Sequence, residues 1–65
     1  MTWYVVVKLD TEGYENYMEF ESEEAALDEA EDTWNCNQGE YEAVAVLEYS
    51  IEDGCESKEL ICEYC

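Results

Sequence analysis

The chain has 65 residues, and the size scaling of folded proteins gives such a chain roughly 4,300 Å² of accessible surface, room for one domain (residues 1–65) and no large multi-part active site. Nineteen Asp and Glu stand against two Lys, with no His, for a formal net charge of −17, which excludes direct binding to phosphate backbones or anionic lipid headgroups. With 48% apolar and 14% aromatic residues and no Pro, the chain is expected to fold rather than stay disordered.

Residues 2–9, TWYVVVKL, are β-branched and aromatic and read as a strand. Asp10-Thr11-Glu12-Gly13 then reads as a four-residue hairpin loop, and residues 14–21, YENYMEFE, as the returning strand. Pairing across that loop sets Leu9 opposite Tyr14, Val7 opposite Asn16, Val5 opposite Met18 and Trp3 opposite Phe20 as the buried face. The other face pairs Lys8 with Glu15, Val6 with Tyr17 and Tyr4 with Glu19, an exposed side rich in tyrosine and acid with one cross-strand ion pair.

Ser22 is an N-cap, with Glu23 and Glu24 in the first turn where the helix dipole favours negative charge. The helix is expected to run to about Trp34. Ala26, Leu27, Ala30 and Trp34 fall on its inner side, and Glu24, Asp28, Glu31 and Asp32 on its outer side. Asn35–Glu40, with Gly39, connects to the next strand.

Residues 41–51 and 56–64 flank Asp53-Gly54, a strong two-residue hairpin signal. That turn pairs Tyr49 with Lys58, Leu47 with Leu60, Ala45 with Cys62 and Ala43 with Tyr64. The opposite face pairs Glu48 with Glu59, Val46 with Ile61 and Val44 with Glu63. The resulting expectation is an α+β two-layer sandwich of order ββαββ. Its four-stranded antiparallel sheet runs 2-1-3-4, with the helix on one face and Tyr4, Tyr17, Val44, Val46 and Ile61 on the open one.

No stretch has the length and apolarity of a membrane helix, and the N-terminus lacks a signal-peptide pattern, so a cytoplasmic setting is expected. Cys36, Cys55, Cys62 and Cys65 should then be mostly reduced. Only the last two form CxxC, a weak zinc signal, and the reading is Cys62 in the core, Cys36 in a loop, and Cys55 and Cys65 at a turn and the terminus. The acidic loops lack the ligand spacing of a calcium-binding loop, so no metal or other cofactor is expected. With no His, no Arg and no Ser or Cys beside an identifiable base, an enzyme is not expected either.

What remains is the charge. B-DNA carries about one charge per 1.7 Å of axis, so the ~27 Å of an eight-residue strand corresponds to roughly 16 charges. A compact protein with that ratio can compete for a groove that holds nucleic acid. In length, acidity and lack of catalytic residues, with the segments YENYMEFE, SEEAALDEAEDTW and EYEAVAVLEY, the chain resembles small phage-encoded DNA-mimic inhibitors. Among them it is most similar to type I anti-CRISPR proteins. The resemblance is one of composition and architecture. It implies binding to a Cascade-type effector in a bacterial host cell, where target DNA would lie, through a basic Cas subunit.

The candidate partner-binding residues are Glu24, Asp28, Glu31 and Asp32 on the helix, and Glu15, Glu19, Glu48, Glu59 and Glu63 on the strands beside Tyr4 and Tyr17. The open face also admits a monomer or a weak homodimer. Two other readings stay open at this stage: an acidic adaptor for a basic protein unrelated to nucleic acid, and a halophilic protein whose acids serve hydration.

Overall fold

The computed structural model describes residues 1–37 and 39–65. Four strands and one helix follow in the order β1 (Thr2–Asp10), β2 (Glu15–Phe20), α1 (Glu23–Cys36), β3 (Tyr41–Glu52) and β4 (Cys55–Tyr64). All neighbouring strands are antiparallel and the sheet order is β2-β1-β3-β4, the expected α+β arrangement with one helix against one face.

The first hairpin closes differently from expectation. The Asp10 amide donates to the Tyr14 carbonyl at 3.0 Å, and the Asp10 carboxylate accepts from the amides of Glu12 and Tyr14 at 2.8 and 3.0 Å. The loop is therefore three residues, Thr11-Glu12-Gly13, with Gly13 at φ 96° supplying the left-handed position that such a loop needs. One residue fewer in the loop slips the register by one. Tyr4 faces Phe20, Val6 faces Met18, Lys8 faces Asn16, Val5 faces Glu19 and Val7 faces Tyr17, in place of the expected pairs.

A slip of one residue exchanges the faces of a strand. Phe20 stays on the helix side and Tyr17 and Glu19 on the other, as expected, but β1 is inverted. Tyr4, Val6 and Lys8 turn toward the helix, and Trp3, Val5, Val7 and Leu9 turn away. Pairing of Val6 with Val46 and of Lys8 with Val44 inverts β3 in the same sense. Tyr4, Val44 and Val46, expected on the open face, therefore face the helix, and Ile61 packs against the same core.

The second hairpin turns as expected. Asp53 and Gly54 both have positive φ, 52° and 79°, the requirement of the tight turn that suits the strand twist. Tyr49–Lys58, Glu48–Glu59 and Leu47–Leu60 pair as read from the sequence. Beyond them a bulge leaves Ile61 without a partner. Cys62 then faces Val46, Tyr64 faces Val44 and Glu63 faces Ala45, correcting the four pairs expected there. The bulge turns Cys62 and Tyr64 to the helix side while Lys58 and Leu60 stay on the other.

Helix α1 begins at Ser22, whose hydroxyl accepts from the Ala25 amide, and it runs two residues past Trp34, so Cys36 ends the helix rather than lying in a loop. Of the connection expected over residues 35–40, Gln38 lies outside the described residues. Ala26 and Ala30 are fully buried against Val6, Val44 and Val46. The two alanines let the helix axis approach the sheet closely, and the helix covers mainly β3 and β1. Thr33 is buried beside them, and Trp34 stacks on Tyr64 at 6.1 Å between ring centroids, which places this tryptophan in the core as expected.

Candidate functional site

Two surfaces hold the candidate residues, one on each side of the sheet. On the helix, Glu24, Asp28, Glu31 and Asp32 are all exposed, with Glu23 beside them in the first turn. At 1.5 Å of rise per residue these four carboxylates span about 12 Å, one every ~4 Å, against 3.4 Å per phosphate along one strand of B-DNA. The helix carries no Lys or Arg to interrupt the row. An open groove runs beside it, lined by Phe20, Ala25, Asp28, Glu29, Asp32 and Asn35.

The helix does contain one neutralised acid, on its inner side. Lys8 of β1 donates to Glu29 at 3.0 Å, and the Lys8 side chain is only 11% exposed. This replaces the expected Lys8–Glu15 pair, because the inversion of β1 turns Lys8 toward the helix. Among the described residues it is the one ion pair, so one of the chain's two lysines is consumed in tying the helix to the sheet.

At the helix end, the Cys36 thiol donates to the Asp32 carboxylate at 3.3 Å. That hydrogen bond, then the charge of Asp32, then partial desolvation push the thiol above its usual value, so it is a poorer nucleophile than a free cysteine. Cys55 and Cys65 are exposed and Cys62 is half-buried at the core, as the sequence reading places them.

The second surface is the sheet face away from the helix. Register places Trp3, Val5, Val7 and Leu9 of β1 beside Ala43, Ala45, Leu47 and Tyr49 of β3. Trp3 and Tyr49 stack with centroids 5.7 Å apart and planes 11° from parallel, and Val5 between its neighbours is only 6% exposed. The edge strands add Tyr17 and Leu60, which are 61% and 54% exposed. Acids stand on the same edges: Glu15 and Glu19 on β2, Glu56 and Glu63 on β4, with Lys58 the one cation of this face. The Tyr17 hydroxyl donates to Glu15 at 2.7 Å, and this bond, with the carboxylate charge next, raises the tyrosine above its ordinary value.

The candidate strand residues therefore divide. Glu15, Glu19, Glu63 and Tyr17 share the uncovered face. Glu48 and Glu59 face each other on the helix side, beyond the end of the packed core, and Tyr4 is half-buried there. Burial, followed by the charges of Glu48 and Glu23, raises Tyr4, whose ring packs on the core instead of lying open for a partner. Sequence reasoning missed the apolar row of Trp3, Val5, Val7, Leu47 and Tyr49. The signal that finds it is the glycine at the third loop position, which closes the hairpin on Asp10 and Tyr14.

No family model, curated protein or solved structure matches this chain. Among the described residues, no helix is long and apolar enough to cross a membrane.

Proposed function

We propose that this chain is a protein mimic of duplex DNA that occupies the DNA-binding surface of a Cascade-type CRISPR–Cas effector and blocks target binding. The observation that carries the reading is the uninterrupted, exposed carboxylate row Glu24, Asp28, Glu31 and Asp32 on α1. It stands on an elongated body of 41 × 23 × 15 Å with a net charge of −17, about one charge per 2.4 Å of length against ~1.7 Å for B-DNA. Such a body would meet the Lys and Arg of a nucleic-acid groove with steering by long-range attraction. Inhibition by occupancy needs no catalytic group and no cofactor. The class resemblance points to a basic Cas subunit of the effector, and the bacterial cytoplasm is the setting that this target requires.

A gel-shift competition tests the reading. A saturating amount of the chain should release labelled target duplex from a Cascade-type effector, and the inhibition should fade steeply as salt rises. Duplex that stays bound at saturation overturns the proposal.

A second reading is favoured by one observation: the uncovered apolar sheet face suits an adaptor docking on a basic protein that never handles nucleic acid. Binding to such a protein without displacement of duplex from any effector would select it. A chain that unfolds in low salt would instead point to a halophilic surface.

A further inference from the structure

We infer that the uncovered face of the sheet is a protein-docking surface for a partner whose contact patch is apolar at its centre and carries Lys and Arg around it. The centre of the face is the apolar row of β1 and β3, anchored by the stacked Trp3 and Tyr49 and extended outward by the exposed Leu60 and Tyr17. Stacked aromatics on the two inner strands of a face, with acids on its edge strands, suit the arrangement in which binding energy concentrates on aromatic anchors inside a polar rim. Leu60 pairs with Leu47 and Tyr17 with Val7, so these exposed side chains continue the apolar row, and a contiguous patch of this kind marks an interaction site.

The margin names the partner's chemistry. Glu15 and Glu19 flank the row on β2, Glu56 and Glu63 on β4, and Lys58 alone opposes them. A second copy of the chain fits poorly. Two such faces stacked about a two-fold axis bring acidic edges together, with a net −17 on each copy and Lys8 already held by Glu29 on the far side of the sheet. A partner with a basic margin satisfies both the row and its frame.

The inference stands on the sheet face and is independent of the DNA-mimic reading. Its probe is a short amphipathic helical peptide with a leucine stripe flanked by lysines, titrated into the isotope-labelled chain and followed by amide chemical shifts. An oligolysine of equal charge and a leucine–glutamate counterpart serve as controls.

The expected result is a shift of the amides of Trp3, Val5, Leu47, Tyr49 and Leu60, with roughly tenfold weaker binding of oligolysine at these positions and none of the leucine–glutamate peptide. Replacing Tyr17 and Leu60 together by Ser, both being exposed, should weaken the leucine–lysine peptide by about tenfold while leaving the spectrum of the free chain dispersed. Shifts confined to the helix acids, equal binding of oligolysine, or micromolar self-association of the free chain that buries Trp3 would each overturn the inference. Peptide binding on the sheet without duplex displacement would remove the DNA-mimic reading alone. Duplex displacement with Trp3 untouched by the peptide would remove this inference alone.

Discussion

Val46 and Leu47 are consecutive in β3, yet they live in different environments. Val46 is sealed between Val6 of the neighbouring strand and the alanines of the helix, while Leu47 sits on the uncovered face opposite Val5 and the exposed Leu60. Both faces of the sheet are apolar at their centres. Only one is covered by the chain itself, and that asymmetry separates residues that hold the fold from residues left over for a partner.

The largest test of this contrast applies one substitution on each side. Val46→Ser leaves a cavity and a buried hydroxyl, and should cost about 3 kcal/mol, a large part of the stability of so small a domain. Leu60→Ser, at a site already half in water, should cost under about 1 kcal/mol. Denaturant midpoints measure both. Equal losses would mean that the outer face is as important to folding as the inner one, and the docking inference would lose its basis.

The next test sets the helix acids against the acids that frame the outer face. Reversing Glu24, Asp28 and Glu31 to Lys should abolish duplex displacement in the effector competition, whereas reversing Glu15, Glu19 and Glu63 should slow association without abolishing it. The melting temperature of the helix variant should be unchanged or higher. A lysine in the first turn loses a few tenths of a kcal/mol against the helix dipole, and the relief of carboxylate repulsion along the row offsets it. Equal, small losses from both triple variants would show that only total charge matters.

Strand positions, the helix start, strand order and the Asp53-Gly54 turn were legible in the sequence because each rests on a local signal. Ser22 caps, Ala26 and Ala30 repeat at helical spacing, and Asp-Gly demands positive φ twice. The assignment of faces was not legible by the same means. TWYVVV is apolar at every position after Thr2, so alternation carries no information there, and the choice falls to loop length alone. Reading four loop residues for three turned Tyr4 outward and Trp3 inward, and it moved Lys8 from Glu29 to Glu15. The β4 bulge at Ile61 is a second such case, since no glycine or proline marks it in ESKELICEY. The helix acids, set by spacing from a cap, were placed correctly, while the candidate site on the strands was divided between two faces.

Lys8 gives a smaller effect that sharpens the same comparison, since it is a cation turned toward the covered face. Lys8→Met keeps the stem that packs under the helix and removes the charge. Glu29 is 32% exposed and can recover water, so the loss should be about 1 kcal/mol at low salt and less at high salt. Combining it with Glu29→Gln in a double-mutant cycle should return a coupling of roughly 0.5–1 kcal/mol. No coupling would mean that the helix is held to the sheet by Ala26, Ala30 and Trp34 alone.

The smallest effect concerns the Cys36 thiol at the end of the acidic row, and it measures the field of that row directly. The Asp32 carboxylate accepts the thiol hydrogen and opposes the thiolate, so the thiol is raised above its usual value of about 9. A raised pKa means that this contact stabilises the fold below pH ~9, and that the contribution disappears as pH climbs through the higher folded-state value. In a chain whose other three cysteines are Ser, Asp32→Asn should speed alkylation of Cys36 at pH 8.5. The rate should rise toward that of an exposed thiol with no carboxylate beside it. The helix triple variant Glu24, Asp28 and Glu31 to Lys should speed it less, because none of those three side chains bonds to the thiol. If the triple variant has the larger effect, the row acts on Cys36 as a summed field rather than through the Asp32 hydrogen bond. The acidic face would then behave as a diffuse charge instead of a set of placed carboxylates.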